Sequence, residues 1–287
     1  MNATPLPLAW VTGAAGLIGN CFVQIAPRFA PGWRVRGLTR RDFDLTDFND
    51  LRRAFDADRP ALVIHCAAIS SNLACQADPP LARRVNVEGT RVLAELCADA
   101  SFVFFSTDLV FDGRQGSYLE SAEPNPLGVY AETKAEAERV VLRNSRHLVI
   151  RTSLNGGTSL RGDRSFNEQM RQAWAAGRTL SLFADEFRSP THASVTARAV
   201  WELAIQKAAG IYHVAGTERL SRFEIGELVA ARCPELKPHL DRGSLKHYQG
   251  PPRAPDTSLN CDKAQGQLSF RLPGLRAWLA ANPGVPF

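Results

Sequence analysis

The feature that most restricts the fold is the run Thr12-Gly13-Ala14-Ala15-Gly16-Leu17-Ile18-Gly19. It lies between an apolar stretch, Leu8–Thr12, and a helical pattern that begins at Leu17. Glycines at this spacing, where a strand hands over to a helix, have separate tasks. Gly13 can take a tight turn, Gly16 lets backbone come close to a pyrophosphate, and Gly19 lets the helix press on the strand. The backbone N–H groups of Ala15, Leu17 and Ile18 sit at the positive end of the helix dipole and suit a phosphate. A glycine-bearing turn without a ligand has the same local sequence, so the rest of the chain must decide between them.

Apolar runs and helical patterns alternate through the first half. Strands are expected at 8–12, 33–39, 61–66, 102–106 and 148–152. Helices are expected at 17–29 with Pro27 in the last turn, at 48–55 behind an Asp47 cap, at 81–97 and at 129–142. Such alternation predicts an α/β fold, a Rossmann-type doubly wound parallel sheet covered on both faces, with ligands at the strand C-termini. After Thr152 the pattern loosens. A loop is expected at 154–164, helices at 166–174, 191–209 and 223–233, and a strand at 210–215 able to rejoin the sheet. The proline-rich stretch 234–255 reads as mostly irregular. The expected division is a dinucleotide-binding domain at 1–153, rejoined by about 191–215, and a smaller substrate lobe from 154–190 and 216–287.

Composition removes other classes. A chain of 287 residues with 45% hydrophobic and 22% charged residues is ordinary for a soluble globular protein. No run is long enough for a membrane span, and the start lacks a basic region followed by an apolar core, so a cytoplasmic protein is expected. Cys21, Cys66, Cys75, Cys97, Cys233 and Cys261 form no CxxC pair, and the histidines show no ligand spacing, so no metal is expected. The net charge of +5 is dispersed, which favours anionic small ligands over nucleic acid.

Three further clusters carry chemistry. The second strand ends in Arg40-Arg41, two guanidinium groups suited to a 2′-phosphate and hence to NADP(H). Asp42 and Asp44 follow, so NAD(H) stays open, and Asp44-Leu45 lies where an adenine edge would be contacted. Tyr130 and Lys134 are four apart on one helical face, where an ammonium favours a phenolate and the phenol can exchange a proton with a carbonyl or hydroxyl. Ser106-Thr107-Asp108 ends an apolar strand at the same sheet edge, where a hydroxyl could meet the reacting oxygen.

Together with Cys66-Ala67-Ala68, Asn86-Val87-Glu88-Gly89-Thr90 and Ser106-Thr107-Asp108-Leu109-Val110-Phe111-Asp112-Gly113, these residues resemble an extended short-chain dehydrogenase/reductase of the dTDP-4-dehydrorhamnose reductase-like branch. Pro190-Thr191 and Leu259-Asn260-Cys261-Asp262-Lys263 extend the likeness over nearly the whole chain. The resemblance implies NADPH-dependent reduction of a nucleotide-linked 4-keto sugar. Tyr130 would donate the proton, and Lys134 would hold the nicotinamide ribose and tune the phenol. Thr107 would complete the triad and contact substrate with Asp108, while Cys66, Ala67 and Ala68 would lie along the cofactor. On the substrate side Leu109, Leu154 and the Arg253-Ala254 pair depart from the branch, leaving the sugar open while keeping Leu154 and Arg253 as substrate-side candidates. Two other functions fit the same residues: a cofactor-binding regulatory subunit like that of methionine adenosyltransferase, and a sugar-nucleotide epimerase or dehydratase. Monomer and homodimer are equally compatible with the sequence.

Overall fold

The computed structural model describes residues 5–287. The expectation that the chain has no leader falls partly on residues 1–4, which lie outside the described residues. No helix among the described residues is long and apolar enough to cross a membrane.

Six parallel strands form the central sheet: β1 (Leu8–Thr12), β2 (Arg34–Leu38), β3 (Leu62–His65), β4 (Ser101–Thr107), β5 (Leu148–Thr152) and β6 (Gly210–His213). Their order is β6-β5-β4-β3-β1-β2. The chain runs outward from β1 to the edge at β2, then returns past β1 to β3 and builds the other way. Connections therefore diverge between β1 and β3, and such a switch point leaves a crevice at the strand C-termini.

The helices are α1 (Leu17–Phe29), α2 (Phe48–Asp58), α3 (Gly89–Leu96), α4 (Val129–Val141), α5 (Phe166–Ala175), α6 (Ala193–Ile205) and α7 (Arg222–Ala230), besides shorter pieces. Strand side chains alternate between two buried faces. Ala9, Val11, Ile64 and Ile150 share one core with Phe22 of α1 and Trp201 of α6, whose indole N–H donates to the Phe22 carbonyl at 3.2 Å. Trp10, Val63, Phe104 and Val149 share the other with Leu51 of α2, Leu93 of α3 and Val141 of α4.

Two expectations need correcting. The helix expected at 81–97 is broken into Pro79–Arg83, a wider π-helical turn at Arg84–Glu88, and α3. The turn turns Asn86 inward. Its amide oxygen accepts from the Ile69 N–H at 2.8 Å, and its amide nitrogen donates to the Ile69 carbonyl at 3.0 Å and the Thr133 hydroxyl at 3.1 Å. The stretch 234–255 is not wholly irregular: Leu240–Gly243 pairs in parallel with Leu180–Phe183. Its sequence, LDRG, has no apolar alternation, so only the partner strand reveals it.

Outside the central sheet lie that pair and two shorter ones, Phe187–Arg188 with Leu220–Ser221 and Asn155–Gly156 with Thr191–His192. A late strap returns to the sheet edge. The Asp256 N–H donates to the Gly113 carbonyl at 3.1 Å, and the Asn260 N–H to the Tyr118 carbonyl at 2.9 Å. Gly113 has φ +77°, and a Cβ there would lie 2.8 Å from the Asp256 nitrogen, so only glycine seats the strap.

Four histidines are buried, and in three of them, His65, His192 and His213, the neutral form is favoured most strongly. Burial first, and then the Lys134 charge, lowers His65 to about 3. Burial first, and then Arg151, lowers His213 to about 3. Burial lowers His192 to about 4. Unfolded histidines take up protons near pH 6.5, before the folded ones can. Their contribution is therefore whole above about pH 6.5 and shrinks as pH falls. At about pH 5 each is expected to cost up to about 2 kcal/mol of stability. Urea unfolding at pH 7.5 and pH 5 checks this; an unchanged midpoint contradicts it.

Candidate active site

The glycine-rich turn sits at the switch point. Gly13 has φ +70°, and a Cβ on it would lie 2.8 Å from the Ala67 nitrogen, in the loop after β3. A Cβ on Gly19 would overlap the Gly13 carbonyl, so α1 presses directly on the turn. Gly16 is the cap residue of α1, and no side chain bonds the first turn. The cradle therefore keeps backbone N–H groups near Ala15, Leu17 and Ile18 clear of side-chain caps, which fits a pyrophosphate. Thr12 fixes its floor: its hydroxyl meets His65 Nδ1 at 2.7 Å and accepts from the Ala67 N–H at 3.3 Å, while His65 Nε2 meets the Thr90 hydroxyl at 3.1 Å. Cys66, Ala67 and Ala68 are partly buried along this loop.

Arg40 and Arg41 follow β2 and are exposed, with no ion pair among the described residues. The acids near them are engaged. Asp42 accepts from the Thr39 N–H at 2.8 Å and hydroxyl at 3.0 Å, and faces Arg36 at 3.7 Å. Asp44 accepts from the Thr46 N–H at 2.8 Å, which first among several contacts holds its carboxyl below the usual range. Leu45 lies under α3, where a Cβ on Gly89 would stand 3.0 Å from the Leu45 carbonyl.

Thr107 ends β4, and Tyr130 and Lys134 occupy one face of α4 beside it. Lys134 is buried, 3% exposed, with Nζ 3.9 Å from the Phe104 ring centroid on β4. Burial lowers Lys134 to about 7, against the opposing pull of Glu138. The Lys134 charge adds to the burial that lowers His65 and opposes the burial that raises Cys66, both at the end of β3. The Tyr130 phenol is pushed up, first by burial and then by the Asp108 carboxylate, with the nearby Thr107 opposing them. This corrects the expectation that the lysine lowers the phenol: here burial and a carboxylate dominate, and the phenol keeps its proton. The Thr133 hydroxyl donates to the Tyr130 carbonyl at 2.7 Å and accepts from Asn86, so the π turn braces the start of α4.

Several supporting residues had no assigned role in the sequence. Glu138 and Arg151 form a buried pair, 2.7 Å between Glu138 Oε2 and Arg151 Nη2, with Ser106 donating to the same carboxylate. Asp108, treated as a substrate contact, is 4% exposed and held within the protein. Its Oδ2 accepts from Ser153 at 2.7 Å and Thr257 at 2.8 Å, Arg188 Nε stands 3.7 Å away, and the Thr107 hydroxyl donates to Oδ1 at 3.2 Å. Arg253 grips Glu186 through two hydrogen bonds of 2.7 and 2.9 Å. Leu154 is partly buried and packs on the core, its carbonyl accepting from the Thr191 N–H at 2.9 Å. Arg188 and Thr257 carry no motif that marks them, and the Arg151-Thr152-Ser153 string gives no sign of a contact with Asp108. Only folding brings them to Asp108.

The chain is similar to known proteins along most of its length. A dTDP-4-dehydrorhamnose reductase of Streptomyces griseus is 34% identical over 227 residues, covering 76% of this chain and 73% of that protein. Methionine adenosyltransferase 2 subunit beta of Xenopus laevis is 27% identical over 277 residues, 91% of this chain and 82% of that protein. The crystal structure of dTDP-4-dehydrorhamnose reductase from Bacillus anthracis str. Ames in complex with NADP superposes with a TM-score of 0.85 at 22% identity, covering 96% of this chain and 100% of that one. Residues 9–282 match the family model described as the RmlD substrate binding domain, and the chain belongs to that family of extended short-chain dehydrogenases/reductases.

Proposed function

We propose that the chain is an NADPH-dependent reductase of a nucleotide-linked 4-keto-6-deoxy sugar, with Tyr130 as the proton donor. The observation that carries this reading is that Thr107 ends β4 while Tyr130 and Lys134 stand four apart on α4, with Lys134 Nζ over the Phe104 ring of β4, at the sheet edge that also bears the glycine cradle. The Streptomyces relative, named as a dTDP-4-dehydrorhamnose reductase, supports the substrate class.

The cradle at Gly13, Gly16 and Gly19 holds the pyrophosphate, Arg40 and Arg41 hold the 2′-phosphate, and Lys134 holds the nicotinamide ribose. When bound, reduced nicotinamide supplies a hydride. The chain's own residues handle the proton. Tyr130 stays protonated at neutral pH because burial and Asp108 disfavour its phenolate, so it can donate to the substrate oxygen as negative charge gathers there. Thr107 orients the phenol. Lys134, with a pKa of about 7, takes its charge more readily once a phenolate forms beside it, so acid and base support each other through the transfer.

The test follows loss of reduced-cofactor absorbance with a dTDP-4-keto-6-deoxy sugar. No turnover across several such sugars, with NADPH still bound, contradicts the reading. A stable complex with a synthetase subunit in place of turnover favours the regulatory alternative. For the cofactor, Arg40→Ala is expected to weaken NADPH by about tenfold or more, the loss of a charge-assisted phosphate contact. NADH, lacking that phosphate, is expected to change little. Fluorescence titration of both cofactors decides; equal losses remove the 2′-phosphate role.

A further inference from the structure

A cluster of guanidinium groups lies on the lobe side of Asp108. Glu186 is fully buried, and its carboxylate accepts from Arg188 at 2.8 Å and from Arg253 at 2.7 and 2.9 Å. The remaining Arg188 groups are also engaged: Nη1 donates to the Phe187 and Ala254 carbonyls at 2.8 and 3.2 Å, and Nε faces Asp108 at 3.7 Å. Arg222 is a third member. Its backbone N–H donates to the Glu186 carbonyl at 2.8 Å, and its guanidinium lies 4.2 Å from the Phe166 ring centroid. Yet no hydrogen bond or ion pair reaches that guanidinium among the described residues, and the side chain is partly exposed. Three guanidinium groups thus face two carboxylates, Glu186 and Asp108, and among the described residues the Arg222 guanidinium is left without a partner while remaining partly exposed.

We infer that Arg222 is the seat for a phosphoryl group of the substrate's diphosphate, positioned by stacking on Phe166 with its five N–H donors directed at the ligand. The inference rests on the proposed function and adds the residue that recognises the nucleotide linkage. Burial lowers Arg222 to about 10, against the pull of Glu186, so an incoming anion relieves a charge that its surroundings under-compensate. The cluster also leads inward: Arg222 adjoins Glu186, Glu186 holds Arg188, Arg188 faces Asp108, and Asp108 accepts from Thr107. A diphosphate at Arg222 and a sugar at Thr107 would therefore lie on one continuous wall of the cleft.

Calorimetric titration of the NADPH-saturated protein with dTDP, UDP and inorganic pyrophosphate tests this. Arg222→Met is expected to weaken all three by about ten- to a hundredfold, the loss of a charged hydrogen-bonding partner, with NADPH affinity unchanged. Arg178→Met, which neutralises an exposed arginine of the same lobe, is expected to leave them unchanged. Arg222→Lys, which keeps the charge and most of the stem, supplies the measurement if the methionine variant does not fold; an intermediate loss is expected. Wild-type protein that binds none of the three probes, or an Arg222 variant that folds and binds them as the wild type does, overturns the inference. The two proposals fail separately. Binding that depends on Arg222, without reduction of any keto sugar, removes the reductase reading alone. Turnover with diphosphate binding indifferent to Arg222 removes this one alone.

Discussion

Replacing Tyr130 with Phe is expected to lower kcat on the order of a hundred- to ten-thousandfold, the range a positioned general acid contributes. NADPH affinity is expected to stay nearly unchanged, because in the proposed function the phenol acts on the substrate oxygen while the cradle and the arginines after β2 would hold the cofactor. The ring itself remains, so the packing of α4 against β4 is preserved. The loss should be equal in kcat and kcat/KM, the sign of an interaction made only in the transition state. Steady-state kinetics with titration of NADPH checks it. Near-normal rates in the Phe variant would remove Tyr130 as the acid, and loss of cofactor binding would show that its role is structural.

The second large effect concerns stability. Arg151→Met is expected to cost about 3–5 kcal/mol, because it leaves the Glu138 carboxylate buried without its partner. Both side chains are almost inaccessible, 2% and 3% exposed, so water cannot replace the lost contact. The double variant Arg151→Met with Glu138→Gln is expected to recover part of this loss, since no charge is then stranded. Denaturant unfolding of the two variants decides between a charge effect and a packing effect. A double variant as unstable as the single one would assign the cost to packing around Arg151, whose guanidinium also lies over Phe111. The pair has a further consequence for the site. Glu138 raises Lys134 against its burial, so weakening this carboxylate would bring Lys134 still lower.

The parts of the molecule legible in the sequence are those where local pattern and burial coincide. β1, α1 and the turn between them follow directly from apolar residues ending at a glycine whose positive φ no other residue adopts without strain. The inner strands β1, β3, β4 and β5 could be drawn because they are buried on both faces and read as nearly continuous apolar runs. Where structure depends on distant partners, the sequence is silent. The strand Leu240–Gly243 exists because Leu180–Phe183 lies beside it. The π turn at Arg84–Glu88 exists because Asn86 has the Ile69 backbone and Thr133 to bond, which helical periodicity cannot reveal.

The same division runs through the site. That Thr107 ends β4 and that Tyr130 and Lys134 share a face of α4 could be read in advance from strand-end position and helical spacing. The surroundings that set their behaviour could not. Asp108 raises the Tyr130 phenol, yet its place is fixed by Ser153, Arg188 and Thr257, which arrive from three separate parts of the chain. The Val110-Phe111-Asp112-Gly113 string is local in sequence but acts at long range, since Gly113 seats the strap that delivers Thr257. Arg253 was singled out by its motif, while Arg222, at the start of a helix after Ser221, had no motif at all.

The most direct measurement uses NADPH deuterated at the transferable C4 position, a dTDP-4-keto-6-deoxy sugar and mass spectrometry of the sugar product. One deuterium on the carbon that bore the ketone, at a rate abolished in Tyr130→Phe, is the expected result. A protein that binds both ligands yet leaves the sugar unlabelled, or that labels it equally fast without the phenol, would contradict the assignment of Tyr130 and its neighbours to ketone reduction.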